Sequence, residues 1–84
     1  MSRFMFAFTW TAMPDASVAR SEREQVIKLI ADKKMEQMFL ANDRSKGWLI
    51  MIGESQEQAL EQLSILPFYP IMHFEVTLLL DAYP

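Results

Sequence analysis

The sequence predicts an α+β fold: two helices on one face of a four-stranded antiparallel sheet, in the order β-α-β-β-α-β. Three observations carry this reading. Phe4, Phe6, Phe8 and Trp10 recur with a period of two, the side-chain spacing of a strand. Two segments, one ending near Lys33 and one opening at Ser55, carry apolar residues at helical spacing behind capping signals. Each of these segments lies between strand-like runs, and a polar turn separates the two halves.

The elements follow in order. Residues 3–11, RFMFAFTWT, form the first strand, with Met5, Ala7, Thr9 and Thr11 turned to the other face. AMPDAS is a loop, and the first helix is capped either by Asp15 or by the capping box Ser21-x-x-Glu24. Its inward stripe is Val18, Glu22, Val26, Leu29, Ile30 and Lys33, widened by Ile27. Residues 34–42 read as a second strand, NDRSKG as a turn, and residues 48–54, WLIMIGE, as a central strand buried on both faces. Ser55-x-x-Gln58 caps the second helix, whose stripe is Ala59, Leu60, Leu63 and Leu66 and which Pro67 stops. Residues 71–80 form the last strand, with Phe74, Val76, Leu78 and Leu80 on one side and His73, Glu75, Thr77 and Leu79 on the other. This is the ferredoxin-like split βαβ arrangement in a single domain, 1–84.

Composition excludes several functional classes. A chain of 84 residues has no room for a second core, yet 51 % of it is hydrophobic. With no cysteine and one histidine, it can build neither a disulfide framework nor the usual transition-metal ligand sets. There is no glycine-rich phosphate loop, so a cofactor-free reaction is the one enzymatic class with support. The apolar start MSRFMFAFTWTAM is too short for a membrane span of about 20 residues. Read as a buried strand rather than a signal segment, it places the protein in the cytoplasm. KGWLIMI, residues 46–52, matches the opening of an RNA-recognition signature at Lys46, Gly47 and Trp48. Leu49 and Ile50 break that signature, and a net charge of −3 supplies no phosphate-binding surround. Nucleic acid is not an expected partner.

Residues 55–76, SQEQALEQLSILPFYPIMHFEV, resemble the C-terminal half of the muconolactone isomerase family. Leu66, Pro67, Phe68, Tyr69, Pro70, Met72, Glu75 and Val76 carry the match, at a fixed spacing from the helix-capping Ser55. The resemblance implies a ferredoxin-like protomer whose sheets pair face to face into a dimeric α/β barrel. It also implies a reaction that moves a double bond in a small carboxylated lactone by proton transfer, without metal or cofactor. Where the family's second strand carries an arginine-histidine-leucine-tryptophan-arginine run, this chain has Glu36, Gln37, Met38, Phe39 and Leu40. Two readings therefore stand side by side: a small isomerase-like enzyme or binder of an organic acid or lactone, and a non-catalytic module of the same fold.

His73 and Glu75 lie two apart on one strand and share the face turned away from the helices. A glutamate beside a histidine in a partly dry cavity is suited to proton transfer, and Glu75 occupies a motif position of the resemblance. The plainer role for both is that of strand residues meeting solvent or backbone at a barrel mouth. Trp48, Tyr69 and Arg44 are the candidate substrate contacts: an aromatic wall, a hydroxyl, and a turn cation able to close over an anion. Lys46 and Asp43 share that turn with Arg44 and could close over an anion with it; packing for Tyr69 and a solvated hairpin tip for the three turn residues are the plainer roles. The uncovered sheet face should carry Met5, Ala7, Trp48, Ile50, Ile52, Thr77 and Leu79 around His73 and Glu75. Such a surface predicts an obligate homodimer.

Overall fold

The computed structural model describes residues 1–80; residues 81–84 of the predicted single domain lie outside the described residues. Four strands, β1 (Ser2–Trp10), β2 (Met35–Leu40), β3 (Lys46–Gly53) and β4 (Met72–Leu79), form one antiparallel sheet in the order β2-β3-β1-β4. Helix α1 (Ala19–Ala31) joins β1 to β2, and α2 (Gln56–Leu63) joins β3 to β4. This is the expected ferredoxin-like βαββαβ fold.

Strand alternation sets the core. Phe4, Phe6 and Phe8 of β1, Leu49 and Met51 of β3, Met35 of β2 and Met72 of β4 are buried on the helix side. Leu29 of α1 and Ala59 and Leu63 of α2 close over them, joined by Leu66 and Phe68 from the following loop. Aromatic edges lock the middle of this layer, with Phe6 and Phe74 at 5.6 Å and 87°. Gly47 is required where the Phe8 ring crosses β3. A Cβ there would stand 2.5 Å from the Phe39 carbonyl oxygen and 2.6 Å from Phe8 Cε2.

The ends of the helices differ from the sequence reading. Asp15 caps a single 3₁₀ turn, Ala16–Val18, by accepting from the Ser17 N–H at 2.9 Å. That turn leads directly into α1, whose own N-terminus has no side-chain cap, and Ser21 lies inside the helix. The proposed Ser21–Glu24 box therefore does not form, because the 3₁₀ turn already supplies the chain's first helical residues. At the other end Lys33 adopts φ 60°. The Lys33 and Lys34 N–H groups donate to the Ile30 and Leu29 carbonyls, both at 3.0 Å. This is a Schellman closure with lysine at the left-handed position. Ile30, placed in the inward stripe, is exposed, whereas its neighbour Leu29 is buried.

Helix α2 is capped as expected: Ser55 Oγ accepts from the Gln58 N–H, while Gln58 Oε1 accepts from the Glu54 N–H. It ends at Leu63 rather than at Pro67, with Ser64 Oγ donating back to the Glu61 carbonyl. Leu66 is buried from the loop instead. Leu78 points to the helix side but is 63 % exposed, and Leu80, expected on the same face, lies beyond the end of β4 and is fully exposed. The short α2 packs on β3 and leaves the end of β4 uncovered among the described residues. The central strand β3 is likewise covered on one face only: Leu49 and Met51 are buried, whereas Trp48, Ile50 and Ile52 are half-buried on the other.

Candidate ligand sites on the two faces of the sheet

The open face is ordered by register. Thr9 of β1 lies between Lys46 of β3 and His73 of β4, and Ala7 lies between Trp48 and Glu75. Neighbouring strands are about 4.8 Å apart, so residues on β3 and β4 flank β1 at roughly 10 Å from each other. Because β1 places only the short side chains of Ala7 and Thr9 in that interval, the taller flanking residues stand around a trough. Its volume is about 250 Å³, and Lys46, Trp48, His73 and Glu75 line it. Lys46 Nζ sits 5.8 Å from the Trp48 ring centroid, within cation–π range.

The trough thus combines a cation, an aromatic wall, an imidazole and a carboxylate around an uncharged floor. Chemically it can hold a small anion against Lys46 and present a carboxylate to an acidic C–H bond. His73 and Glu75 are both exposed in the single chain. Beyond the trough Met5 is paired to Ile50 and Thr77, and the charged Arg3 lies between Ile52 and Leu79. Arg3 donates from Nε to Glu36 Oε2 at 2.5 Å.

Three of the five residues singled out in the sequence, His73, Glu75 and Trp48, meet in this trough. Tyr69 and Arg44 do not. Tyr69 belongs to a 3₁₀ turn, Tyr69–Ile71, and packs on the Phe74 ring at 5.8 Å. Arg44 sits in the β2–β3 hairpin with φ 63°. Its N–H donates to the Ala41 carbonyl at 2.8 Å, and its own carbonyl accepts from Trp10 Nε1 at 2.9 Å. The Ser45 N–H and hydroxyl both donate to Asp43 Oδ1, which holds the Asp43 carboxyl below its ordinary range. The hairpin tip is therefore held by hydrogen bonds within it and to Trp10, and Arg44 also lines a second cavity on the helix side.

That cavity has a volume of about 480 Å³ and lies between α1 and the end of the sheet where Trp10, Leu40 and Phe68 converge. Glu22 of α1 lines it and is only 7 % exposed. Glu22 Oε1 accepts from the Phe68 N–H at 2.8 Å, while Oε2 is buried with no hydrogen-bond partner among the described residues. Burial raises the Glu22 carboxyl above its ordinary value, and the Phe68 hydrogen bond offsets part of that shift. The sequence held a signal for this group, since a glutamate interrupts an apolar stripe between Val18 and Val26. Helical spacing alone does not reveal which loop it meets.

Among the described residues no group of three or more histidine, cysteine, aspartate or glutamate side chains is placed to hold a metal. No described helix is long and apolar enough to cross a membrane. No protein-family model matches the chain, and no curated protein matches it.

Proposed function

We propose that the chain is a muconolactone-isomerase-like protein that pairs with a second copy through its open sheet face and binds a small organic acid or lactone in the enclosed trough. The observation that supports this is the register-built set Lys46, Trp48, His73 and Glu75 around the Ala7–Thr9 floor. Lys46 takes the ligand's carboxylate, and Trp48 forms the wall against its ring. Glu75 removes a proton from an allylic carbon, and the electron pair spreads into the conjugated carbonyl. The same carboxyl then returns the proton at the far end of the conjugated system, so the double bond moves with no net gain or loss of protons. His73 assists by hydrogen bonding to the developing oxyanion.

The occupant proposed for the open face is a second copy because of its area and self-matching chemistry. Four strands about 4.8 Å apart and some eight residues long span roughly 19 by 26 Å, a footprint of about 500 Å². Its apolar part is the contiguous set Met5, Trp48, Ile50, Ile52 and Leu79, which self-pairing would remove from water. At about 25 cal/mol per Å² of apolar surface, burying even half of this footprint contributes on the order of 6 kcal/mol per protomer before association costs. A two-fold axis would close one trough over another and exclude water from Glu75. The apolar rows around Met5, Ile50 and Ile52 favour a second reading, in which pairing itself is the function and the trough binds without turnover.

A panel of small carboxylated lactones and acids tests the proposal. A ligand raises the melting temperature by mass action, and turnover of that ligand disappears in Glu75→Gln while the melting temperature of the free variant is retained. Binding with no turnover in the native chain supports the second reading. A flat thermal panel refutes both ligand readings.

A further inference from the structure

The helix-side cavity has the makings of a second site, separate from the open-face trough. It exists because α1 turns short or polar side chains toward this end of the sheet: Ala19, Glu22 and Val26, at one-turn spacings. The opposing surface is formed by Trp10 of β1, Met38 and Leu40 of β2, and Phe68. The walls are apolar and partly aromatic, with Trp10 and Phe68 edge to face at 5.6 Å and 85°. A volume of about 480 Å³ falls within the range of roughly 300–1,000 Å³ usual for small-molecule sites.

Its polar groups are few and differ in kind. The exposed residues Arg23 and Arg44 line the cavity from α1 and from the hairpin. Asp15 is the other charged residue there, and its carboxylate is engaged by the Ser17 N–H and hydroxyl. Within the protein stands Glu22, one oxygen bonded to Phe68 and the other without a partner among the described residues. A buried carboxyl oxygen left unmatched costs free energy, which a ligand hydroxyl bonded to it would recover.

We propose that this cavity binds a small hydroxylated aromatic carboxylic acid, with its ring against the paired Trp10 and Phe68 side chains, its carboxylate on Arg44 and Arg23, and its hydroxyl reaching Glu22. The arginine guanidinium matches a carboxylate in two-point geometry. The flat ring matches the aromatic walls. The inward hydroxyl supplies the donor that Glu22 Oε2 lacks. This site is independent of pairing through the open face.

The two tryptophans report the two sites separately, because Trp10 lines the cavity and Trp48 lines the trough. Titration of the ¹⁵N-labelled full chain with 4-hydroxybenzoate should move the Trp10 Nε1–H signal saturably, with a midpoint independent of any response at Trp48. Benzoate, lacking the hydroxyl, should bind more weakly. Arg44→Asn keeps a residue that tolerates φ 63° at that position. It should weaken binding by about tenfold, the effect of one charge-assisted hydrogen bond. Ala19→Phe, an exposed position that lines the cavity, should fill the space and abolish the Trp10 response. The proposal is overturned if Trp10 shows no saturable shift, if Trp48 alone responds, or if both variants bind 4-hydroxybenzoate as the native chain does.

Discussion

Replacing Gly47 with alanine probes the packing of β3 against the Phe8 ring beneath the open-face trough. Gly47 lies on β3 between Phe8 of β1 and Leu40 of β2. An added Cβ would stand 2.5 Å from the Phe39 carbonyl oxygen and 2.6 Å from Phe8 Cε2. Both separations fall about 1 Å short of ordinary van der Waals contact. The Phe8 ring is buried, at 1 % exposure, and packs edge-on against Trp10 at 5.3 Å and against Phe74 at 6.3 Å. It cannot swing aside without opening those contacts. The carbonyl belongs to the β2 backbone, so moving it strains the β2–β3 ladder near the hairpin, where the Ala41 N–H donates to the Lys46 carbonyl at 2.9 Å. Overpacking of this kind costs about 1–3 kcal/mol, and a weakened ladder bond adds about 1 kcal/mol. We expect Gly47→Ala to destabilise by about 3 kcal/mol, a fall in melting temperature of roughly 12–24 °C for a domain of this size. Urea denaturation at fixed protein concentration measures it, because dimerisation would make stability depend on concentration. Placing the substitution in a Phe8→Leu background removes the ring contact but not the carbonyl, so a cost above about 1 kcal/mol should remain. A loss below about 1 kcal/mol in the native background would refute the reasoning, since ring and strand would then have yielded freely.

Further predictions concern charge, helix closure and assembly. The Glu22 carboxyl is raised above its ordinary value of 4.5 by burial, so the folded chain holds this proton more tightly than the unfolded one. Its contribution to stability therefore falls as pH rises through the window that starts near the ordinary value, and is constant above the folded one. Glu22→Gln keeps an acceptor for the Phe68 N–H, flattens that limb, and stabilises at neutral pH by about 1 kcal/mol, read from denaturation midpoints between pH 4 and 8. Lys33 holds a left-handed conformation at φ 60°; Lys33→Gly should raise stability by roughly 1 kcal/mol in the same assay, and a loss would contradict the Schellman assignment. Light scattering at micromolar concentration should show no species below the dimer mass, and Trp48→Glu should give an unfolded or aggregated chain. A monodisperse native monomer would remove the barrel proposal.

The fold was legible because its determinants are local. Period-two phenylalanines in β1, the Ser55 cap and the polar hairpin each act within a few residues, where sequence spacing maps directly onto geometry. The misplaced boundaries arose where two local signals competed and the nearer one won. A 3₁₀ turn displaced the Ser21 cap, and α2 stopped before its proline because Ser64 closed the last turn. The helix-side cavity was illegible for a different reason: it joins residues from β1, α1, β2, the hairpin and the loop after α2, and no spacing rule connects them.

The open-face site shows how far alternation alone can go. Period two places His73 and Glu75 on one face of β4 and Trp48 on one face of β3, but it does not say which of these residues meet. That depends on the register of two separate pairings to β1, which align Thr9 with both Lys46 and His73, and Ala7 with both Trp48 and Glu75. A slip of one residue in either pairing would send its partners to the other face. The small residues of β1 therefore matter as much as the reactive ones. Ala7 and Thr9 keep the floor low between two tall rows, whereas the neighbouring Met5 raises it beside Ile50. The trough is confined to one end of the sheet because side-chain height along β1 changes there. This is also why Lys46, which hairpin position alone marks as a solvated turn residue, belongs with Trp48, His73 and Glu75 in the chemistry of the site.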